Sequence, residues 1–343
     1  MRNLTLLTDL YELTMMQGYF RNAGMNETVI FDAFYRSNPQ GGGYAISAGL
    51  AQIIEYIKDL HFTEDDIAYL RGLNIFEEDF LDYLHEFRFT GDIYAIPEGR
   101  VIFPREPLVK VIAPVMQAQL IETALLNILN HQCLIATKAS RIVRAAAGDG
   151  VMEFGCRRAQ GPDAAIYGAR AAMIAGCVGT SNVLCGQMFD VPVSGTHAHS
   201  WIMSFPDELT AFRAYAKLYP DACILLIDTY DTLDSGLKNA ITVFKEMRDA
   251  GIKSKKYGIR MDSGDLAYLS KKVKALYIQL SQLVSEHPWT RVTTCLESPW
   301  SDNPDLHKEI SPSPLRIQEF KFKQTQFKSR VAPAVLLLPV VHS

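Results

Sequence analysis

Arg260-Met-Asp262-Ser-Gly-Asp265 decides the fold class, because it places a guanidinium, two carboxylates and a glycine turn at the carboxyl end of a predicted strand at 257–261. In α/β proteins the carboxyl ends of strands carry the ligand-binding groups. Carboxylates there accept hydrogen bonds from sugar hydroxyls or hold Mg²⁺, and Gly264 allows close backbone approach. The alternative is an ordinary Asp-Ser-Gly turn.

An alternation of strands and helices precedes this stretch and predicts a parallel sheet or barrel. The predicted strands are 151–154, 191–194, 222–227 and 257–261, with helices at 163–175, 207–218, 235–250 and from 265. Residues 1–130 instead mix strands at 29–35, 93–96 and 108–112 with helices at 8–20, 50–60, 64–72, 76–87 and 117–129, and a helix at 137–147 follows. We therefore predict an α/β protein with a mixed α+β N-terminal domain at 1–130 and a partial (β/α) barrel at 131–272.

The end of the chain has a different character. None of the 22 glycines follows Gly264, and no βαβ unit is visible after about Val273. Because glycine supplies turns and phosphate contacts in α/β enzymes, a glycine-free segment is a poor continuation of a barrel. We predict that residues 273–343 form a divergent tail, as a replaced or frame-shifted end would.

Composition argues against several classes of protein. With 343 residues, 48% of them hydrophobic and 21% charged, the chain is typical of a two-domain globular protein. A net charge of -4 argues against a nucleic-acid binder. We find neither a signal peptide nor an apolar run as long as a membrane span. The six cysteines form no CxxC pair or zinc spacing, which predicts reduced core thiols in a cytoplasmic protein.

Polar clusters follow other predicted elements. Arg157 and Arg158 suit a carboxylate or phosphate, since a guanidinium binds both in a bidentate manner. The alternative for them is a surface pair bound to Glu153 and Asp163. Gly179-Thr-Ser-Asn182 suits a polar pocket, but a helix cap is the favoured interpretation.

Two further clusters follow strands in the same way. Asp228-Thr-Tyr-Asp231 suits hydroxyls or Mg²⁺, and the alternative is a helix N-cap, a role open to Asp231 but not to Asp228. His197 and His199 suit a metal, a general base or a phosphoryl acceptor. A metal is disfavoured because no third ligand is evident nearby. The alternative is one structural and one exposed histidine.

Taken together, these segments resemble the bacterial type of nicotinate phosphoribosyltransferase from about residue 1 to 272. The matching segments are Thr8-Asp-Leu-Tyr11, Phe154-Gly-Cys-Arg-Arg-Ala-Gln-Gly-Pro-Asp163, Ser181-Asn-Val-Leu-Cys-Gly186, Gly195-Thr-His-Ala-His-Ser200, Asp228-Thr-Tyr-Asp-Thr232 and Arg260-Met-Asp-Ser-Gly-Asp-Leu266. The resemblance implies the irregular (β/α) barrel of the type II phosphoribosyltransferases. It also implies that nicotinate is joined to the ribose of phosphoribosyl pyrophosphate, giving nicotinate mononucleotide and pyrophosphate, with ATP hydrolysis coupled through a phosphohistidine.

The resemblance implies catalytic roles at three positions. His199 takes the place of the phosphohistidine, and Arg260 and Asp262 complete the catalytic set. Asp262 also handles the ribose or Mg²⁺, and Asp228 is a second candidate Mg²⁺ ligand. His197 occupies a variable position of the motif and receives no role.

The resemblance also implies a substrate-binding set. Tyr11 stacks on the pyridine ring from a neighbouring subunit, with Phe154 on the other face, which implies a homodimer. Thr196 contacts nicotinate together with Arg260. Arg157 handles phosphates, and Ser181 joins the set through its motif.

One departure leaves three hypotheses about function. The family binds the sugar 5-phosphate with a Gly-x-Gly-Thr loop, and no glycine follows Gly264 here. The first hypothesis is an active nicotinate phosphoribosyltransferase. The second, which the missing loop favours, is a truncated and catalytically dead member that acts only in binding or dimerisation. A related enzyme that uses nicotinamide is the third hypothesis, and the Ser181-Asn182 motif favours nicotinate over it.

Overall fold

The computed structural model describes residues 3–22, 27–252, 257–282, 292–298, 316–322 and 333–339. The chain divides into two compact units: an N-terminal unit of residues 1–138 and 327–343, and an α/β unit of residues 139–326. Much of the tail predicted at 273–343 lies outside the described residues.

The helices and strands are numbered here along the chain. The helices are α1 (Leu10–Arg21), α2 (Leu50–Lys58), α3 (Glu64–Gly72), α4 (Glu78–His85), α5 (Val115–Leu120), α6 (Glu122–Ala145), α7 (Pro162–Ile174), α8 (Val183–Phe189), α9 (His199–Met203), α10 (Glu208–Leu218), α11 (Leu237–Asp249) and α12 (Leu266–Gln282). The strands are β1 (Thr28–Tyr35), β2 (Ala45–Ile46), β3 (Asp92–Ala95), β4 (Val101–Ile102), β5 (Val109–Pro114), β6 (Gly150–Glu153), β7 (Gly179–Thr180), β8 (Cys223–Leu226), β9 (Tyr257–Met261), β10 (Val292–Ser298), β11 (Arg316–Phe322) and β12 (Pro333–Pro339).

The N-terminal unit contains an antiparallel sheet in the order β12-β1-β5-β3. Burial alternates strictly along β5, as expected of a strand with one face on a core. Phe31 of β1 lies opposite Val111 of β5, and both are buried in a core shared with the helices. The predicted mixed α+β character of this region is confirmed.

Helix α6 differs from the prediction of two separate helices at 117–129 and 137–147. A short α5 ends at Leu120, and α6 then continues without interruption to Ala145. Residues 122–145 contain no glycine or proline, so nothing in the sequence ends the helix earlier. It stops where Ala147 and Gly148 take positive φ angles of 50° and 99°.

The α/β unit contains a sheet in the order β7-β6-β11-β10-β9-β8, whose pairs are all parallel. This confirms the α/β class. The strand predicted at 191–194 was wrong, since only Val193 forms a bridge, to Thr180 of β7. Pro192 has no N–H to donate to a ladder, although its carbonyl accepts from the N–H of Thr180 at 3.0 Å.

The end of the chain contributes strands to both units. In the α/β unit, β10 pairs with β9 and with β11, and β11 pairs with β6. These two strands therefore lie between β9 and β6 in the sheet. The structure therefore places two strands in the part of the chain where the sequence showed no βαβ unit, and the divergent tail at 273–343 stays a prediction. Strands need residues that suit a pleated surface, such as the valine and threonines of Val292-Thr-Thr294, and glycine weakens them.

The cysteines whose side chains are described are free thiols. Cys133, Cys177, Cys185 and Cys223 are buried, which confirms the predicted core thiols at these positions, whereas Cys156 is exposed, so the prediction was wrong for this residue. Among the residues that the structure describes, no helix is long and apolar enough to cross a bilayer.

Candidate active site

The carboxyl end of β8 presents a buried carboxylate, Asp228. Leu225, Leu226 and Ile227 are fully buried and carry the chain outward from the core to this residue. The N–H of Ile227 donates to the carbonyl of Arg260 at 3.0 Å, which extends the pairing with β9 to the edge of the site. The end of β8 is therefore fixed by its neighbouring strand before any side chain of the site makes a contact.

The turn after Asp228 is held closely against the strand. A Cβ atom at Gly236 would lie 1.9 Å from the carbonyl oxygen of Ile227, so only glycine fits at this position. Asp231 accepts hydrogen bonds from the N–H groups of Leu233 and Asp234 at 3.0 and 2.6 Å. The predicted N-cap role of Asp231 is confirmed, and Asp228 is left to other contacts.

Asp228 joins three parts of the site. Its Oδ1 lies 3.2 Å from Nε2 of His199, and its Oδ2 accepts from the N–H of Asp262 at 2.6 Å and from the hydroxyl of Ser263 at 2.8 Å. The side chain is 1% exposed, so these bonds lie out of reach of competing water. The carboxylate thus binds the histidine segment to the turn that follows β9.

Arg260, at the end of β9, brings together the residues predicted to contact nicotinate. Its guanidinium donates to the hydroxyl of Thr196 at 3.0 Å and to the carbonyl of His197 at 3.3 Å. Its other terminal nitrogen forms an ion pair with Asp262 at 3.0 Å, in which the two side chains are 8% and 12% exposed. Thr196, Arg260 and Asp262 therefore form one contiguous cluster.

The two histidines have different surroundings, as the structural alternative predicted. His199 opens α9, and its side chain is 37% exposed. His197 is buried, and burial, assisted by the charge of Arg260, lowers the pKa of its imidazole to about 4. One ring thus faces outward with a carboxylate behind it, and the other is a neutral part of the core.

A second network lies where β6 and β7 end. Glu153 accepts from the N–H of Gly155 at 2.5 Å and from the hydroxyl of Thr180 at 2.7 Å, and burial raises the pKa of its carboxyl. The N–H of Ser181 donates to the carbonyl of Glu153 at 3.0 Å. Asn182 caps α8 by accepting from the N–H of Cys185 at 3.1 Å, so the favoured cap interpretation is confirmed for this residue.

The remaining predicted site residues lie around this second network or in the other unit. Phe154 is buried beside Met152, and Arg157 is exposed in a 3₁₀ turn of residues 156–158. Tyr11 lies on α1 of the N-terminal unit, where burial and the nearby Glu122 raise the pKa of its phenol to about 12. The roles of these residues stay predictions.

The turn that follows β9 leads directly into α12. Asp265 caps α12 by accepting from the N–H of Tyr268 at 2.9 Å, and Gly264 before it has a positive φ of 80°. Within the described residues, no group of three or more His, Cys, Asp and Glu side chains is placed to hold a metal ion by itself.

Two contacts of the candidate site escaped prediction from the sequence. Thr180 bonds Glu153 from a strand of only two residues, which is too short to show a periodic pattern. The hydroxyl of Ser263 was treated as part of a turn, although its place between two aspartates after a strand was a signal for it.

Comparison with known proteins adds independent evidence to this geometry. Residues 6–130 match the N-terminal domain model of nicotinate phosphoribosyltransferase (NAPRTase), and residues 150–308 match the NAPRTase family model. The chain belongs to the nicotinate phosphoribosyltransferase family. The family match extends past residue 272, where the resemblance of motifs had ended, and includes β10.

Individual members of the family show the same relationship. The nicotinate phosphoribosyltransferase of Bacillus subtilis (strain 168) is 49% identical over 274 residues, which cover 80% of this chain and 55% of that relative. The chain thus spans little more than half the length of this curated relative.

Solved structures agree with the family and the fold. The crystal structure of human nicotinic acid phosphoribosyltransferase matches with a TM-score of 0.82 at 27% identity, covering 96% of this chain and 74% of that one. A nicotinate-nucleotide pyrophosphorylase from Pyrococcus furiosus shares the fold with a TM-score of 0.72 at 20% identity, covering 98% of this chain and 75% of that one. The predicted type II phosphoribosyltransferase fold is confirmed.

Proposed function

We propose that this chain transfers the phosphoribosyl group of phosphoribosyl pyrophosphate to nicotinate, in a reaction coupled to ATP hydrolysis through His199. The products are nicotinate mononucleotide and pyrophosphate, and the reaction is the first step in making NAD from nicotinate. The contact of Asp228 with both His199 and the Asp262 turn carries the proposal, because it connects a phosphoryl acceptor directly to the substrate cluster.

His199 suits phosphoryl transfer because one of its nitrogens is already occupied. With the proton on Nε2, this atom donates to Oδ1 of Asp228 and leaves the lone pair of Nδ1 as the nucleophile. Nδ1 attacks the terminal phosphorus of ATP, an N–P bond forms, the P–O bond to ADP breaks, and Asp228 stabilises the imidazolium. Water later cleaves the N–P bond and releases phosphate. The phosphate on His199 adds a dianion at the start of α9. This dianion changes the local charge and, through it, the conformation of nearby loops.

Nicotinate recognition falls to Arg260 and Thr196. Their contact fixes the guanidinium in one orientation, and a fixed guanidinium binds a carboxylate in a bidentate manner. The acid is therefore preferred over its amide. Tyr11 from a second copy and Phe154 sandwich the pyridine ring, which makes the active form a homodimer.

Phosphate groups and Mg²⁺ complete the site. Mg²⁺ is held by one or two carboxylates together with substrate phosphates. Both oxygens of Asp228 already accept hydrogen bonds, so we assign the ion to Asp262. When bound, Mg²⁺ neutralises charge on the leaving pyrophosphate, while Arg157 and Ser181 hold phosphate and sugar oxygens. The buried free thiols fit a cytoplasmic location.

The test is mononucleotide formation by the purified full chain with nicotinate, phosphoribosyl pyrophosphate, Mg²⁺ and ATP, measured by chromatography. We expect product from the wild type, more of it with ATP than without, and background levels from His199→Ala. Better turnover of nicotinamide would contradict the choice of substrate. A folded chain that binds nicotinate but forms no product would favour the catalytically dead alternative.

A further inference from the structure

His197, to which the family motif assigns no role, contacts both strands that carry the site, β8 and β9. The residue is 7% exposed, and its ring packs edge-to-face on Tyr215 at 4.5 Å between ring centroids, with Phe212 at 6.3 Å. Burial between aromatic rings fixes the plane of the imidazole, so its nitrogens have defined directions.

The ring accepts a hydrogen bond from the end of β8. The N–H of Leu226 points to Nε2 of His197 at 3.3 Å. Backbone N–H groups alternate sides along a strand, and the next one, of Ile227, already donates to β9. Because β8 ends the sheet in the described strand order, the N–H of Leu226 faces an edge that no strand covers. The imidazole supplies the missing acceptor.

The backbone of the same residue reaches the other strand. The carbonyl of His197 accepts from the guanidinium of Arg260 at 3.3 Å and from the hydroxyl of Thr196 at 3.2 Å. His197 therefore accepts a hydrogen bond from β8 with its ring, and its carbonyl accepts hydrogen bonds from Thr196 and Arg260. Nε2 accepts only while the ring is neutral, and the low pKa of about 4 keeps it neutral at physiological pH.

We propose that His197 is a positioning residue for nicotinate recognition: its ring secures the loop before α9 to the end of β8, and this sets where Thr196 and Arg260 meet the pyridine carboxylate. The role in recognition rests on the proposed function, whereas the bond from Leu226 does not.

A pair of conservative variants tests the proposal. In His197→Gln the amide oxygen takes the place of Nε2 and keeps an acceptor for Leu226. In His197→Asn the shorter amide takes the place of Nδ1, and the acceptor is lost. We expect KM for nicotinate to rise about tenfold in His197→Asn and to stay within about twofold of wild type in His197→Gln. KM for phosphoribosyl pyrophosphate should stay within about twofold in both.

Val243→Ala is the matched control for loss of stability, since Val243 on α11 is buried in the same hydrophobic cluster as Phe212 and has no role in the proposed site. It should lower Tm without changing KM for nicotinate. The proposal is overturned if Gln and Asn at position 197 raise that KM equally, or if both substrates' KM values rise together as a general loss of structure would cause.

Hydrogen exchange of the Leu226 amide separates this proposal from the proposed function. We expect exchange to be at least about tenfold faster in His197→Asn than in wild type, and near wild type in His197→Gln. Equal protection in all three overturns the proposal whether or not the chain is active. Absence of mononucleotide from wild type, with this difference in protection intact, contradicts the proposed function alone.

Discussion

Glu12 in the N-terminal unit and Asp228 in the α/β unit are both buried carboxylates that accept three hydrogen bonds, but their donors differ. Glu12 accepts from the hydroxyl of Thr8 and from the N–H and hydroxyl of Thr123. Asp228 accepts from a backbone N–H, from a hydroxyl and, with the proton on Nε2, from the imidazole of His199.

The charges around the two groups also differ. Burial raises the pKa of Glu12 to about 7, and the neighbouring Glu122 adds to this shift. Asp228 instead contacts a histidine and the turn of Asp262, which is itself paired with Arg260. The comparison teaches that burial alone does not make a carboxylate functional. Glu12, with neutral and acidic neighbours, holds helices together, whereas Asp228 contacts an exposed imidazole and is placed to serve the proposed chemistry.

The largest effect should come from Asp228→Asn. The amide keeps the shape but replaces one acceptor oxygen by a donor, so it no longer orients and stabilises the His199 imidazole. We expect kcat for mononucleotide formation to fall about a hundredfold. Asp231→Asn is the matched control, because Asp231 serves as a helix cap in the same segment, and it should keep kcat within about twofold. Equal losses in the two variants would remove the distinction drawn for Asp228.

Glu12→Gln should change stability and its pH dependence. The ordinary pKa of the carboxyl is 4.5 and its folded value is about 7, so the wild type loses stability as pH rises through that window. The variant avoids this loss. We expect its free energy of unfolding to exceed that of wild type by about 1–3 kcal/mol at pH 8, and to be nearly equal at pH 4, in denaturant titrations of the full chain.

Asp79→Asn provides a control of opposite sign for Glu12→Gln. A hydrogen-bonded ion pair with Arg21 lowers the pKa of exposed Asp79, so its contribution is present above the ordinary pKa of 3.8 and lost as pH falls. The variant should be slightly less stable than wild type at pH 8 and not at pH 2. A gain from Glu12→Gln that is the same at pH 4 and pH 8 would show that ionisation of Glu12 is not its cause.

The smallest effect should come from Ser263→Ala, which removes one of the three donors to Asp228. The N–H of Asp262 and the His199 ring remain, so we expect kcat to fall only about fivefold. Ser263→Thr keeps the hydroxyl and should retain most of the activity in the same assay. A loss as large as that of Asp228→Asn would mean that the hydroxyl acts on substrate directly.

Much of the fold followed from local patterns. The strands β6, β8 and β9 were predicted because each is an apolar or β-prone run next to a polar turn, and that pattern forms within a few residues. The two-residue β7 has no periodicity, and its pairing depends on β6 and Val193, which are remote in sequence. Strands β10 and β11 were missed because the lack of glycine was given more weight than their own β-prone residues.

The candidate site shows the same division between local and remote information. An N-cap role for Asp231 was available from the sequence as the alternative interpretation, and Arg260 and Thr196 were grouped through the family motif. The sequence allowed one buried and one exposed histidine, but it could not show that His197 is the buried one, because both histidines lie in one short segment. The contact of His197 with Leu226 and that of His199 with Asp228 distinguish the two histidines, and both partners are about thirty residues away in sequence.

Labelling with ATP tests the central claim, that Asp228 connects a phosphorylated His199 to the nicotinate site. The full chain is incubated with ATP labelled on its terminal phosphate and Mg²⁺, and acid-labile protein-bound phosphate is then measured. We expect labelled wild type, strongly reduced labelling of Asp228→Asn and background in His199→Ala. Labelling of His199→Ala at the level of wild type would contradict the account, since the phosphate would then reside elsewhere.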